Sequence, residues 1–91
     1  SRGLGDVYKR QIAAAQKQAD DINYIFEKRG EGYLPDELLQ VAKIRLTALE
    51  LSLSDIGKML EPPISRSGVN HRLRKISLIA DTLRGEDNRG E

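Results

Sequence analysis

Residues 64–76 read ISRSGVNHRLRKI, and this stretch decides the fold of the 91-residue chain. It holds four Lys and Arg and no acid, although the whole chain is nearly balanced, with 15 Lys and Arg against 14 Asp and Glu. A helix through it, at about 100° per residue, collects the apolar residues on one side and the hydrogen-bonding side chains on the other. This distribution predicts a helix that packs on a small core and leaves its polar side for a partner.

The helix that carries this stretch is the fourth of four that we predict along the chain. It begins at Ser65 or Ser67, whose hydroxyls suit an N-cap, and it ends near Leu83 with Gly85 after it. Residues 85–91 are polar and acidic, which predicts a disordered tail. The predicted buried seam of the helix consists of apolar residues that fall within about 40° of one line: Val69, Leu73, Ile76, Ala80 and Leu83.

A short third helix and a stiff turn precede the fourth helix. Ser52 and Asp55 are spaced as a capping box. Gly57 costs about 1 kcal/mol relative to alanine inside a helix, so we expect a neighbouring segment to approach closely there, in preference to a phosphate-binding loop. Pro62 and Pro63 end the helix. A capped short helix, a stiff turn and a longer helix with a basic N-terminal half form the pattern of a helix-turn-helix.

Two helices come before the helix-turn-helix. The first runs from about Ile12 to Lys28 and is predicted to be a connecting helix, with a partner-binding or coiled-coil helix as the alternative. The second starts near Pro35, because proline is tolerated in the first turn of a helix. Arg45 lies at the edge of its apolar stripe, where a capping or snorkelling arginine is more common than a phosphate ligand. The residues of that stripe are Leu38, Leu39, Ala42, Leu46 and Leu49. The predicted fold class is therefore all-α, a small helical bundle with a helix-turn-helix preceded by a connecting helix.

The polar side of the fourth helix carries side chains that suit double-stranded DNA. Asparagine can pair with adenine and arginine with guanine through two hydrogen bonds, while flanking cations neutralise phosphates. Arg66 lies near the positive end of its own helix dipole, a conflict that a bound anion relieves. The candidate DNA-binding residues are Ser67, Asn70 and His71 for the bases, Arg66 for a base or a phosphate, Arg72, Arg74 and Lys75 for phosphates, and Ser65 as the helix cap.

Other functions find less support. His71 is the single histidine, and no other ligand types are grouped with it, so we expect neither a metal site nor a cofactor. Ser67 and His71 are four residues apart, but no third group or oxyanion site accompanies them, so we do not expect an enzyme. The main alternative is a protein-interaction domain that docks on RNA polymerase or a sigma subunit. A nuclease fragment is weaker, because no cluster of acids is visible.

Residues 1–11, SRGLGDVYKRQ, resemble the translation of a sequencing adapter, and we predict that they are a non-native scar. They carry three cations and one acid, so the rest of the chain has a formal charge of −1 in place of the +1 of the whole. The basicity of the whole chain is therefore no argument for a nucleic-acid partner. The local excess of cations between Arg66 and Lys75 is the relevant signal.

Composition excludes several classes of protein. The chain has no cysteine, so it has no disulfide framework or thiolate metal site, which fits a reducing cytosol. No apolar run approaches the roughly 20 residues that span a membrane. We expect one small cytoplasmic, nucleoid-associated domain, with neither a membrane nor a small-molecule substrate as its partner.

A longer stretch resembles a known family. Residues 62–80, PPISRSGVNHRLRKISLIA, closely resemble the corresponding segment of the WhiA family of sporulation and cell-division regulators from Gram-positive bacteria. Arg66 stands where that family usually has lysine. Leu49 and Leu51 stand where it usually has a proline and a small residue, so we expect the loop there to differ. Further similarity, at the family's spacing, lies at Gln16, Ile22, Ile25, Tyr33-Leu34-Pro35, Arg45-Leu46 and residues 52–57, so that the resemblance covers residues 12–83.

The resemblance implies a C-terminal DNA-binding domain similar to region 4 of bacterial sigma factors. In the family, this domain follows one that is similar to LAGLIDADG homing endonucleases but lacks nuclease activity. The implied function is sequence-specific DNA binding in the control of transcription, sporulation and cell division, with residues 65–83 as a recognition helix in the major groove. The expected organisation is a scar over 1–11, a connecting helix over 12–32, a DNA-binding domain over 33–84 and a tail over 85–91.

Overall fold

The computed structural model describes residues 2–89, without the side chains of residues 2–8, 11 and 89. Every regular element in that range is helical, which confirms the all-α fold class. The elements in chain order are α1 (Arg2–Arg29), a short 3₁₀ helix (Glu31–Tyr33), α2 (Asp36–Thr47), α3 (Leu53–Met59) and α4 (Arg66–Arg89).

The first helix is longer than predicted at its N-terminal end and ends where the glycines indicated. α1 continues upstream of Ile12 to Arg2. At its other end, the backbone N–H of Gly30 donates to the carbonyls of Ile25 (3.2 Å) and Phe26 (2.9 Å). Gly30 has a φ of 87°, which residues with a Cβ rarely adopt, so glycine is needed to turn the chain there.

The predicted N-termini of α2 and α3 are confirmed. Pro35 is the N-cap of α2. Ser52 and Asp55 form the capping box of α3: the Asp55 N–H donates to the Ser52 hydroxyl (3.1 Å), and the Ser52 N–H donates to the Asp55 carboxylate (3.3 Å). The stripe predicted for α2 reached Leu49, but α2 ends at Thr47 and Leu49 lies in a turn.

The turn between α3 and α4 is built on Gly57. The Gly57 carbonyl accepts hydrogen bonds from the N–H groups of Leu60 (3.4 Å) and Ile64 (3.1 Å). A Cβ at Gly57 would overlap the carbonyl oxygen of Ile64 and lie 3.3 Å from a methyl of Val69. The predicted close approach is therefore confirmed, and it involves the backbone of the turn as well as α4.

The fourth helix begins as predicted but ends later. Ser65 caps α4, because its hydroxyl accepts a hydrogen bond from the Gly68 N–H (3.2 Å). All residues of the predicted seam are buried. The prediction that the helix ends near Leu83 and is closed by Gly85 is wrong: α4 continues to Arg89, and Asp87 on this last part bonds to α1. The tail predicted for residues 85–91 is helical as far as residue 89, and residues 90–91 lie outside the described range.

One hydrophobic cluster forms the core, and all four α-helices contribute to it. α4 contacts each of the other three. Because Ile22 and Ile25 of α1 belong to this cluster, the predicted connecting helix shares the core of the helix-turn-helix. The buried members are Ile22, Ile25, Leu34, Leu38, Val41, Ala42, Ile56, Leu60, Val69, Leu73, Ile76, Ala80 and Leu83.

A polar seam joins α1 to the C-terminal half of α4, and the sequence had not indicated it. Asp21, only 1% exposed, accepts hydrogen bonds from Arg84 (2.7 Å), Ser77 (2.8 Å) and Lys17 (3.1 Å). Further along, the Tyr24 hydroxyl donates to Asp87, and the Arg84 guanidinium lies 4.8 Å from the centre of the Tyr24 ring. Arg29 also donates to Asp87 (3.2 Å). We call this the α1–α4 seam; its members are Asp21, Tyr24 and Arg29 of α1 with Ser77, Arg84 and Asp87 of α4.

Acid should weaken the fold through the α1–α4 seam. Burial alone would raise the pKa of Asp21, but hydrogen bonds from Arg84, Ser77 and Lys17 outweigh burial and hold this pKa below its usual value of 3.8. A carboxyl with a lowered pKa in the folded state contributes stability that is complete above the unfolded pKa of about 3.9 and is lost as the pH falls through the folded pKa.

We therefore expect the free energy of unfolding to decrease below about pH 4. In urea denaturation over a series of pH values, the Asp21→Asn variant should show a flatter decrease than the parent. The exposed neighbour Asp20 provides the control, and Asp20→Asn should follow the parent. Equal pH dependence of the parent and Asp21→Asn would contradict this prediction.

Candidate nucleic-acid interface

The N-terminal half of α4 presents the candidate residues to solvent. Of the eight, Ser65, Arg66, Ser67, Asn70, His71, Arg74 and Lys75 are exposed, and Arg72 is half-buried. They lie opposite or beside the buried seam of α4, whose residues face α1, α2 and α3. Because α4 is continuous, the ten residues from Arg66 to Lys75 extend over about 14 Å along one axis.

Among the described side chains, no acid forms an ion pair with the cations of this half. No Asp or Glu occurs between Glu61 and Asp81. Within the described residues, the ion pairs lie within or between α1 and the C-terminal half of α4, with Asp21, Asp81, Glu86 and Asp87 as the acids. Arg66, Arg72, Arg74 and Lys75 are therefore available to an external anion, and the acids of α4 lie at its other end.

Two clefts border the exposed residues of α4. The smaller, about 320 Å³, lies between Leu53 at the start of α3 and three residues of α4, Arg66, Ser67 and Asn70. The larger, about 500 Å³, extends from Arg66 and Asn70 across the α2–α3 loop to α1. Its α1 wall consists of Arg10, Ile12, Ala14, Ala15 and Gln18, and its other wall consists of Arg45 and residues 49–54. Arg10 belongs to the segment that we predict to be a scar.

The first turn of α3 is a part of this surface that sequence reasoning missed. Ser54 is exposed and lines the larger cleft together with Arg66 and Asn70. The sequence had suggested only the capping role of its neighbour Ser52. A second serine one residue into a capped helix, ahead of a basic helix, was the available signal, but many N-terminal turns carry such a residue.

Arg45 acts as a structural cap. Its side chain is only 2% exposed, and its two terminal nitrogens donate to the carbonyls of Leu49 (3.2 Å) and Leu51 (2.9 Å). Burial lowers the pKa of Arg45, which nevertheless stays protonated. The capping interpretation is confirmed, and the burial of the guanidinium beneath the loop argues against the phosphate-ligand alternative. This loop, residues 48–52, carries Leu49 and Leu51, the two positions at which we expected the loop to differ.

Neither a metal centre nor a nucleophilic pair is formed by the described side chains. Among them, no group of three or more His, Cys, Asp or Glu is close enough to hold a metal ion. His71 and Ser67 are both exposed, and neither has a hydrogen bond from its side chain to another described residue. Over the same residues, no helix has the length and apolar character needed to cross a membrane.

Comparison with known proteins identifies close relatives of this arrangement. A family model described as the WhiA C-terminal HTH domain matches residues 8–80. The "Probable cell division protein WhiA" of Moorella thermoacetica is 42% identical over 81 residues, covering 89% of this chain and 26% of that protein. The protein of the same name from Clostridium acetobutylicum is 48% identical over 77 residues, covering 85% of this chain and 24% of that protein.

A solved structure supports the same relationship. The crystal structure of full-length DUF199/WhiA from Thermatoga maritima superimposes with a TM-score of 0.78 at 30% sequence identity, covering 89% of this chain and 28% of that one. The chain thus spans about a quarter of the length of the relatives that it matches.

Proposed function

The chain belongs to the WhiA family, in which it corresponds to the C-terminal helix-turn-helix domain, and on this premise we propose that it binds double-stranded DNA through α4. The observation that carries the proposal is the exposed, acid-free N-terminal half of α4, with four cations that no described acid pairs. A capped α3 and a turn closed on Gly57 hold this half against the core, as in a helix-turn-helix.

In the proposed complex, the N-terminal half of α4 occupies the major groove. The groove is about 12 Å wide and admits one helix. Ser67, Asn70 and His71 face the base edges, and Arg66 contacts a base or a phosphate. Arg72, Arg74 and Lys75 contact phosphates on the groove walls. Ser65 caps the helix, and no residue is assigned a catalytic step or a cofactor.

The proposal extends to the role of the whole protein. The relatives are named as probable cell division proteins. We propose that this domain delivers a regulator of transcription, cell division or sporulation to chosen sites on the bacterial chromosome, in the cytoplasm. Docking on RNA polymerase or a sigma subunit is the alternative that the binding experiment must exclude.

The dependence of DNA affinity on salt tests the proposal directly. If four cations neutralise phosphates, log K should fall against log salt concentration with a slope of about −3 to −4. Fluorescence anisotropy with a labelled duplex at several salt concentrations measures this slope. A slope near zero on every duplex would support protein docking and overturn DNA binding.

Removal of a single phosphate contact should lower the affinity for all sequences alike. Arg74→Ala and Lys75→Ala should each reduce the slope by about 1 and weaken binding to cognate and unrelated duplexes by similar factors. Lys28→Ala is the matched control, because it removes the same charge at the end of α1, where Lys28 lies near Tyr24 and the C-terminal end of α4. A control that lost as much affinity as Arg74→Ala would contradict the assigned contact.

Removal of the proposed base contact should change sequence preference instead. Asn70→Ala should lose about 1–3 kcal/mol at one base position and leave the salt slope almost unchanged. Duplexes selected from a random pool by the parent, then by the variant, provide the comparison. If both select the same consensus with the same stringency, Asn70 does not contact a base.

A further inference from the structure

Asp21 of α1 accepts hydrogen bonds from one side of α4, and the same side carries two of the proposed DNA contacts. At about 100° per residue, Arg66, Asn70, Ser77 and Arg84 form one line along α4, within about 40° of each other around it. Ser77 and Arg84 are the two α4 residues that donate to Asp21, at 2.8 and 2.7 Å. The N-terminal end of the same line, Arg66 and Asn70, forms the α4 wall of the larger cleft.

α1 also lines that cleft. Ala14, Ala15 and Gln18 line the cleft with Arg66 and Asn70, and one turn later Asp21 contacts Ser77 and Arg84. Tyr24 then bonds to Asp87 near the end of α4. α1 therefore runs alongside this line of α4 in the same direction, open as a cleft at the proposed DNA contacts and closed by Asp21 beyond them.

A buried carboxylate is a poor choice for stability alone. Apolar residues of similar volume often serve a buried position equally well, whereas an ion pair with several hydrogen bonds constrains direction. Asp21 accepts from two α4 side chains that are seven residues apart, so it opposes both rotation of α4 about its axis and sliding along it. The continuity of α4 transmits that constraint to Asn70, seven residues before Ser77.

We infer that Asp21 is a positioning residue, which sets the rotation of α4 against α1 and so aims Arg66 and Asn70 at the base edges. The inference rests on the proposed DNA-binding function. Arg72, Arg74 and Lys75 lie off this line, and phosphate contacts tolerate small displacements better than bidentate base contacts do. Loss of the Asp21 constraint therefore lowers discrimination between sequences more than it lowers general DNA affinity.

The test compares cognate and unrelated duplexes at a temperature where circular dichroism shows each variant to be fully folded. Asp21→Asn and the milder Ser77→Ala should each lower the ratio of cognate to unrelated affinity about tenfold and change the affinity for unrelated DNA less than about twofold. Asp20→Asn is the matched control, since among the described residues exposed Asp20 accepts a side-chain hydrogen bond from Gln16 of its own helix (2.9 Å) and from no residue of α4, and it should retain the parental ratio. A parental ratio in both Asp21→Asn and Ser77→Ala would overturn the inference.

A second measurement does not depend on DNA. Because the chain has no cysteine, spin labels at Ala13→Cys and Ser67→Cys report one distance between α1 and the N-terminal half of α4. The distance distribution should be narrow in the otherwise unchanged protein and broader or shifted with Asp21→Asn, while Asp20→Asn leaves it unchanged. An unchanged distribution with Asp21→Asn overturns the positioning role. A parent without salt-dependent DNA binding overturns the proposed function instead.

Discussion

Gly57→Ala should unfold the domain or lower its free energy of unfolding by about 3 kcal/mol, the upper end for overpacking a tight site. The added Cβ would overlap the carbonyl oxygen of Ile64, which is backbone and cannot move aside by changing a rotamer. The same shift would break the hydrogen bond from Ile64 N–H to the Gly57 carbonyl (3.1 Å) and separate α3 from α4. Thermal and urea denaturation followed by circular dichroism would measure the loss.

The chain provides a matched control for this prediction. Gly85 is also a helical glycine, but nothing lies within 4 Å of a Cβ built on it. Gly85→Ala should therefore stabilise the protein by about 0.5–1 kcal/mol, through helix propensity alone. If Gly57→Ala and Gly85→Ala both stabilised the protein, the close approach in the turn would be wrong.

Arg45→Met should cost about 3 kcal/mol and loosen the α2–α3 loop. Methionine retains most of the apolar stem, so the loss reports the two hydrogen bonds to the carbonyls of Leu49 and Leu51, each worth about 1.5–3 kcal/mol when the donor is charged. Those carbonyls lie directly before the capping box of α3 at Ser52. We therefore expect faster amide hydrogen exchange at residues 49–53 in addition to lower stability.

The alternative assignment of Arg45 leads to a different result. If this arginine were a phosphate ligand, Arg45→Met would lower DNA affinity and reduce the salt slope by about 1 while leaving stability nearly unchanged. Arg45→Lys separates the two outcomes further, because lysine keeps the charge but cannot reach both carbonyls from one planar group. We expect Arg45→Lys to be almost as unstable as Arg45→Met, with an unchanged salt slope in folded protein.

Helix periodicity and the capping motif, which involve residues only a few positions apart, correctly predicted several parts of the fold. The apolar face of α4 has five residues at helical spacing, and every one of them is buried. The capping box at Ser52 needs only residues three apart, and it forms. Gly57 stood out because glycine is unfavourable inside a helix, so that a close approach was the simplest physical reason for its presence.

Contacts between distant residues explain what the sequence did not predict. A charged residue such as Asp21 is normally exposed, and its donors Ser77 and Arg84 lie 56 and 63 residues away. The continuation of α4 past Gly85 has a similar cause, because Asp87 is held by Tyr24, also 63 residues distant. The apolar stripe of α2 omitted Val41 and placed Arg45 only at its edge, although both are buried.

At the candidate interface, too, local patterns predicted some features, while contacts between distant residues determined the others. Helix phase alone predicted that the candidate side chains of α4 face solvent, because it follows from the position of the buried seam. It gave no information on which neighbouring elements border them. The presence of Ser54 and α1 beside Arg66 and Asn70 depends on how three helices pack, and no local spacing encodes that.

The charges of α4 are separated along its length of about 36 Å, with four cations that no described acid pairs in the first half, and with Asp81, Glu86 and Asp87 outnumbering Arg84 and Arg89 in the second. A molecule with this distribution has a permanent electric moment along the helix. The field of a polyanion exerts a torque on it and turns the cationic end forward before the two surfaces touch. Collisions in a useful orientation then become more frequent, so added salt should slow association more than it speeds dissociation.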